Sequence, residues 1–162
     1  VFNIPQAQII KSLAKINDLQ DPTAKMSKSA NSMSGVIELL DLPEVTMKKF
    51  KSSVTDAGKE VKYDEKEKAG ISNLLTIHSA FSGKSIKDIE SEFAGKGYGD
   101  FKTQVAEIVV AALDPIRKRT EELMGDQSEL LKILKSGADK ANEVASKTLA
   151  DAYAALGLIK NG

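Results

Sequence analysis

The sequence has no cysteine and a single histidine, His78, among 162 residues. The absence of cysteine excludes a disulfide framework and any thiolate metal site, and it fits a reducing compartment such as the cytoplasm, where we expect the protein to be found. No apolar run approaches the ~20 residues that span a bilayer, so we expect no membrane partner. Basic and acidic side chains number 23 each, so net charge gives no general preference for a polyanion.

The amino terminus also lacks two common features. Its first residues do not resemble a signal peptide, and they include no initiator methionine. We therefore expect the chain to be an excised or truncated piece of a longer protein.

The first third of the chain has mixed patterns. Pro5 suits the first position of a helix, and Ile9, Ile10 and Leu13 follow at near-helical spacing. Residues 14–19 alternate apolar and polar side chains, which predicts a half-buried strand. Residues 23–35 have few large apolar side chains and many serines, so they predict a mobile surface loop.

Beyond residue 35 the pattern predicts helices almost throughout. Residues 36–40 predict a short helix that Pro43 ends, and Pro43 opens another through Phe50, followed by an irregular connection over 55–69. Ser85 with Asp88 resembles a capping box. The remaining predicted helices are 71–82 stopped by Gly83, 85–94 closed by Gly95, 98–124 with Pro115 inside it, 127–135, and 138–156 ended by Gly157.

This composition is unusual for a free-standing domain. A lone strand among about seven helices has no partner for its backbone hydrogen-bonding groups. We therefore expect its sheet to lie in an upstream part of a longer protein.

The stretch Lys25-Met26-Ser27-Lys28-Ser29 is the main candidate for chemistry. Two lysines three residues apart, interleaved with hydroxyls on a loop after a strand, suit the binding of a polyphosphate. A mobile loop that closes as negative charge develops would stabilise the transition state preferentially. Taken on spacing alone, such a lysine–serine run is more often solvated surface.

The literal string resembles the second signature of class I aminoacyl-tRNA synthetases. Further segments match bacterial-type tryptophanyl-tRNA synthetases in order and approximate spacing: Asp21-Pro22-Thr23, Val54-Thr55-Asp56, Tyr63-Asp64, the GISNLL string at 70–75, the GKGYG string at 95–99, and the GADKA string at 137–141. The resemblance spans nearly the whole chain. Tyrosine enzymes share the architecture, but the GISNLL and GKGYG strings argue against them.

The resemblance implies a mainly α fold. Residues 36–162 would form the helical, anticodon-side C-terminal domain, and residues 21–35 the ATP-binding loop. Residues 1–20 would be the end of a Rossmann-like nucleotide-binding domain, including its last strand.

The resemblance also implies a ligase of protein biosynthesis. The parent enzyme would activate tryptophan with ATP, which brings its own Mg²⁺, to tryptophanyl-adenylate and pass the acyl group to tRNA(Trp). Lys25 and Lys28 would stabilise the departing pyrophosphate, with Lys28 the stronger candidate. Met26, Ser27 and Ser29 would line the nucleotide. In the family the preceding strand touches the adenine through its backbone, here at Ile16.

Two positions near the loop depart from the family pattern. Ala24 and Ala30 stand where relatives often carry lysine and aspartate. Neither position belongs to the phosphate clamp. We therefore expect altered loop dynamics rather than lost activity.

Parts of the family's active site are missing from this sequence. The first signature, an H-x-G-H-like string, does not occur, and the tryptophan pocket is not present. We expect the 162-residue piece alone to be inactive and the parent enzyme to be a homodimer. An alternative is a non-catalytic helical module, derived from a synthetase, that binds RNA or protein.

Several other residues have simpler interpretations. We expect His78 to be a packed helix residue rather than a catalyst, and Gly95, Gly97 and Gly99 to form a turn between helices. Asp56 could contact the nucleotide-binding domain or cap a turn. The lysines near the C-terminus could meet tRNA phosphates or form a solvated face: Lys132, Lys135, Lys140 and Lys147.

Overall fold

The computed structural model describes residues 1–9, 15–30 and 32–159, and in these ranges the protein is mainly helical. A 3-10 helix at Met33–Gly35 precedes five α-helices: α1 Pro43–Lys51, α2 Ala69–Ser82, α3 Ile86–Glu92, α4 Tyr98–Gly125 and α5 Gln127–Leu156. The chain divides into two compact units, one of Ile9–Lys118 and the other of Val1–Gln8 with Arg119–Gly162. In the part of the chain described, no helix has the length and apolar character needed to cross a membrane.

The larger unit contains the hydrophobic core, and α2 lies at its centre. Its sequence is apolar on most sides, and eight of its residues, from Gly70 to Leu75 together with Ile77 and His78, are buried. A helix that is apolar all round belongs inside a domain rather than on its surface. The core is completed by side chains from the other elements: Leu19, Phe50, Val61, Ile89, Phe93, Phe101, Val105, Ala106 and Val109.

The helix boundaries follow from local chemistry that the sequence predicted correctly. Pro43 stands at the first turn of α1, where its missing N–H costs nothing. Gly83 ends α2 with φ 71°, a left-handed conformation that glycine adopts without strain. The Ser85 side chain caps α3 by accepting the Asp88 N–H at 3.2 Å. Pro115 lies inside α4, as predicted.

The helix predicted over residues 36–40 is wrong. The Asp41 carboxylate accepts the Glu38 N–H at 3.0 Å, and the Lys49 ammonium donates to the Val36 carbonyl at 2.8 Å. Because side chains satisfy these backbone groups, the segment adopts an extended and turning path instead of a helix.

The break predicted between residues 135 and 138 is also wrong. One continuous helix, α5, runs through Gly137. A single glycine costs a helix interior only ~1 kcal/mol, and the good helix formers on both sides outweigh that cost.

Two predictions for the first twenty residues fail in the described ranges. Residues 1–9, including Pro5 and Ile9, are not helical, and Ile10, Leu13 and Ala14 lie outside the described residues. Residues 15–19 form no strand; they contribute one isolated antiparallel bridge, Asn17 with Lys25. A side chain rather than a second strand binds the other edge of this segment, so no ladder develops.

His78 is fully buried in an aromatic cluster and is packed, as predicted. Its ring stacks on Phe101 at a centroid distance of 6.0 Å and meets Phe93 edge-on at 6.3 Å. Its Nδ1 lies 3.1 Å from the Ser82 hydroxyl. Burial lowers the pKa of His78, and the nearby charge of Lys84 lowers it further. The ring is therefore neutral in the folded protein at neutral pH.

This environment predicts a loss of stability in mild acid. The pKa of His78 is lower in the folded than in the unfolded chain, so the unfolded chain binds the proton more readily. The contribution of the neutral His78 ring to the free energy of unfolding is fully present above the unfolded pKa of about 6.5. It falls as the pH decreases below that value, by at most about 1.4 kcal/mol per pH unit. Urea unfolding of the wild type and of His78→Leu from about pH 7 to about pH 5 checks this. The free energy of unfolding of the wild type should fall relative to that of His78→Leu toward acid, and parallel curves would contradict the prediction.

Candidate functional site

The segment before the lysine-rich loop folds back on it through two backbone hydrogen bonds. The Met26 N–H donates to the Ile16 carbonyl at 3.0 Å, and the Asp18 N–H donates to the Ala24 carbonyl at 3.0 Å. Pro22 lies at the turn between the two arms. This small ribbon places Ile16 directly beside the start of the loop.

The tip of the loop is a turn held by serines. The Ala30 N–H donates to the Ser27 carbonyl at 3.1 Å, and the Ser29 N–H donates to the Ser27 hydroxyl at 3.3 Å. The two hydroxyls lie 3.0 Å apart. The turn therefore places the backbone and hydroxyl groups of Ser27 and Ser29 on either side of Lys28 in the chain.

Lys25 and Lys28 are both exposed. Within residues 15–30 and 32–159, no carboxylate pairs with either ammonium group. The two charges are thus available to a ligand without the loss of an internal ion pair.

An open cavity of about 360 Å³ lies against this loop, and five of the six predicted site residues line it: Ile16, Lys25, Met26, Ser27 and Lys28. Val36 and Ile37 form its apolar wall. Ser29 does not line the cavity, but its hydroxyl lies 3.0 Å from that of Ser27, which does. Two cations, the Ser27 hydroxyl and an apolar wall in one depression match the needs of a nucleotide with a polyphosphate.

The base of the ribbon is held from two further directions. The Leu19 N–H donates to the Gly35 carbonyl at 2.9 Å, and the Val54 N–H donates to the Leu19 carbonyl at 2.8 Å. The buried Asp18 carboxylate accepts the N–H of Gln20 at 2.8 Å. The loop therefore projects from a fixed base.

The GISNLL string explains how α2 contacts this base. A side chain at Gly70 would place its Cβ 2.2 Å from the Val54 carbonyl oxygen, so only glycine permits this approach. The Ser72 hydroxyl does not contact this base; it accepts the Asp64 N–H at 2.8 Å, in the connection before α2. The Asn73 carboxamide accepts the Asn17 N–H at 2.9 Å and donates to the Asn17 carbonyl at 2.9 Å.

The sequence pattern alone did not point to Asn73 as a site residue. A signal was present, because an asparagine in a helix whose other residues are mainly apolar must find hydrogen-bond partners when it is buried. The pattern could not name those partners.

Asp56, Lys68 and Tyr98 form a polar cluster away from the loop. The Tyr98 hydroxyl contacts both Asp56 carboxylate oxygens at 2.9 Å, and the Lys68 ammonium donates to that hydroxyl at 2.8 Å. Asp56 also accepts the Gly58 N–H at 2.7 Å, as the turn-capping interpretation predicts. Burial raises the pKa of Asp56, but the bonds from Gly58 and Tyr98 and the charge of Lys68 outweigh it, so the pKa is lowered. The cluster joins the connection before α2 to the start of α4.

The remaining candidates have structural roles or exposed positions. Gly95 and Gly97 lie between α3 and α4, which confirms the predicted turn between helices for these two, whereas Gly99 lies in the first turn of α4. The α5 lysines are exposed: Lys132, Lys135, Lys140 and Lys147. The described ranges contain no group of three or more His, Asp or Glu side chains placed to hold a metal ion.

A family model described as "tRNA synthetases class I (W and Y)" matches residues 1–114. The chain belongs to this family. The resemblance to the tryptophan members of this synthetase family is confirmed by the curated relatives. The tryptophan–tRNA ligase of Leifsonia xyli subsp. xyli is 52% identical over 159 residues, covering 98% of this chain and 47% of the relative. That of Bacillus anthracis is 49% identical, covering 98% of this chain and 48% of the relative.

Solved structures agree with the sequence relatives. The tryptophanyl-tRNA synthetase of Mycoplasma pneumoniae superposes with a TM-score of 0.81 at 32% identity, covering 92% of this chain and 45% of that one. The Campylobacter jejuni synthetase complexed with ADP and tryptophan gives 0.65 at 29% identity, covering 95% of this chain and 47% of that one. This chain therefore spans about half the length of the relatives it matches.

Proposed function

We propose that this chain is the ATP-loop and helical part of a tryptophan–tRNA ligase. Residues 1–20 would end a Rossmann-like nucleotide-binding domain and supply its last strand when the sheet is complete. Residues 21–35 would be the ATP loop, and residues 36–162 the helical C-terminal domain. The observation that carries the proposal is that one cavity is lined by Ile16 together with both lysines, which have no carboxylate partner among the described residues.

In the first reaction, a carboxylate oxygen of tryptophan attacks the α-phosphorus of ATP. The bond from that phosphorus to the bridging oxygen breaks, and pyrophosphate leaves with its Mg²⁺, which arrives as part of the substrate. Negative charge grows on the leaving group as this bond breaks. Exposed ammonium groups on a loop are well suited to follow that charge, so Lys25 and Lys28 would contribute mainly in the transition state.

The other loop residues would hold the nucleotide. The backbone of Ile16 would contact the adenine, and the apolar side chain of Met26 would border it. The hydroxyls and N–H groups of Ser27 and Ser29 would donate to phosphate oxygens. The relative complexed with ADP and tryptophan supports a nucleotide in this class of enzyme.

The second reaction would pass the tryptophanyl group from the adenylate to tRNA(Trp). The exposed lysines of α5 would contribute to binding tRNA phosphates. We further propose that the parent enzyme is a homodimer that works in the cytoplasm.

The test is tryptophan-dependent exchange of pyrophosphate into ATP. The full-length protein that contains this chain should catalyse it, whereas the 162 residues alone should not, because the H-x-G-H-like string and the tryptophan pocket are not among them. Exchange that requires tyrosine instead would contradict the tryptophan assignment. A full-length protein without exchange activity that still binds RNA would favour the non-catalytic module.

A further inference from the structure

The backbone of residues 16–18 is used on two opposite edges. The Ile16 carbonyl and the Asp18 N–H face the loop arm, where they bind Met26 and Ala24. The Asn17 N–H and carbonyl face the other way, as alternate residues of an extended chain do. Both of these Asn17 groups bind the side chain of Asn73 at 2.9 Å.

The Asn73 carboxamide takes the place that a neighbouring strand would occupy. In an antiparallel pair, one residue exchanges both its N–H and its carbonyl with a single partner residue. A carboxamide has one face with a donor and an acceptor, so it reproduces that exchange with one side chain. The contact joins positions 56 residues apart in sequence.

Asn73 is well fixed for this purpose. It is 7% exposed, and it lies on α2 between Ser72 and the fully buried Leu74. Gly70, one turn earlier, sets α2 against the Val54 carbonyl, so the helix cannot easily shift. The side chain that binds Asn17 therefore projects from a buried helix that lies close against the Val54 backbone.

We infer that Asn73 is a positioning residue for the nucleotide. It holds the Asn17 backbone and thereby sets where the Ile16 backbone and Met26 face the adenine, while the loop tip with Lys25 and Lys28 stays free to close. This inference rests on the proposed function of the loop. Asn73 itself lines no part of the cavity beside the lysines.

Substitution of Asn73 and substitution of the lysines should affect different kinetic constants. Loss of a preformed contact surface weakens nucleotide binding in the ground state as well as in the transition state, so it raises the KM for ATP. Loss of a charge that acts on the leaving group lowers kcat. The KM for tryptophan should not respond to either change.

The experiment uses the full-length enzyme with Asn73→Asp and Asn73→Ala. Each should raise the KM for ATP about tenfold or more in pyrophosphate exchange, because a buried backbone donor or acceptor loses its partner. Ser72→Ala is the matched control. It lies next in the same helix, is equally buried, and loses one hydrogen bond, to Asp64, that does not reach the loop base. Its KM for ATP should stay within about twofold of the wild type.

The pH profile of Asn73→Asp gives a second readout. A protonated carboxyl group has one donor and one acceptor and therefore matches the carboxamide, whereas the ionised form repels the Asn17 carbonyl. The KM defect of Asn73→Asp relative to wild type should shrink as the pH falls, and that of Asn73→Ala should not. If Asn73→Asp does not fold, Asn73→Ser takes its place under the same KM criterion.

The outcomes distinguish the two proposals. A wild-type enzyme without tryptophan-dependent exchange would overturn the proposed function. An active wild type whose Asn73 variants match Ser72→Ala in KM for ATP would overturn the positioning role alone. Equal losses for ATP and tryptophan would also overturn it, since they would indicate general damage to the fold.

Discussion

Replacing Lys28 with alanine in the full-length protein is expected, on the proposed function, to lower kcat for adenylate formation about 100- to 1000-fold, the usual cost of removing one group that stabilises transition-state charge. The Lys28 ammonium is exposed at the loop tip and lines the cavity beside the apolar wall of Val36 and Ile37. Its charge would meet the pyrophosphate as the bond to the α-phosphorus breaks. Pre-steady-state adenylate formation measures the effect directly.

Two comparisons make the Lys28 experiment specific. Lys59→Ala removes the same charge from an exposed position in the irregular connection before α2, and it should leave kcat unchanged. Tryptophan affinity, measured by equilibrium dialysis, should be the same in Lys28→Ala and in the wild type. A turnover number for Lys28→Ala equal to that of Lys59→Ala would remove Lys28 from the mechanism.

Phe101→Ala should produce the largest loss of stability, about 3–5 kcal/mol in the free energy of unfolding. The Phe101 ring is fully buried, meets Phe93 edge-on at a centroid distance of 4.9 Å, and stacks on His78. Truncation removes apolar contact area and leaves a cavity where α2, α3 and α4 meet. Urea unfolding followed by far-UV circular dichroism measures the loss.

The chain offers a matched control for this truncation. Phe81, on α2, is 46% exposed, so Phe81→Ala makes the same chemical change without opening a closed cavity. Its cost should stay below about 1 kcal/mol. Equal losses at the two positions would show that the aromatic cluster does not stabilise the core.

The sequence predicted well those elements whose stability is decided locally. The start of α1 depends on Pro43, the end of α2 on Gly83, and the start of α3 on Ser85; each of these residues acts on its own backbone or within one turn. Apolar periodicity predicted α4 from Tyr98 almost to its end at Gly125. Such features need no knowledge of the rest of the fold.

The predictions were wrong where another side chain, or the rest of a long helix, outweighs the local sequence signal. Leu39 and Leu40 suggested a buried helical face, yet they are 58% and 55% exposed, since Lys49 and Asp41 fix the backbone of this segment in another path. Gly137 suggested a break that α5 does not have. A local pattern could not weigh a side chain from another element, or the summed propensity of a long helix, against a single residue.

In the candidate site, too, the part formed by neighbouring residues could be predicted and the part formed by a distant residue could not. The loop from Lys25 to Ser29 could be predicted as a candidate because its residues are contiguous, so their lysine and serine side chains can be recognised together in the sequence. The support from Asn73 was missed because a carboxamide 56 residues away replaces a strand partner, and no periodicity encodes that substitution. The predicted strand failed for the same reason.

Among the described residues, no carboxylate binds the two loop ammonium groups, and this determines what a polyanion would displace when it binds. A lysine engaged with a carboxylate must first give up that partner, and the exchange offsets much of the gain. In the proposed reaction a polyanion would displace only water from each cation, so no internal ion pair would have to break before the loop closes. The interaction would then be weak and readily reversed before the reaction, and it would strengthen as negative charge concentrates on the departing group.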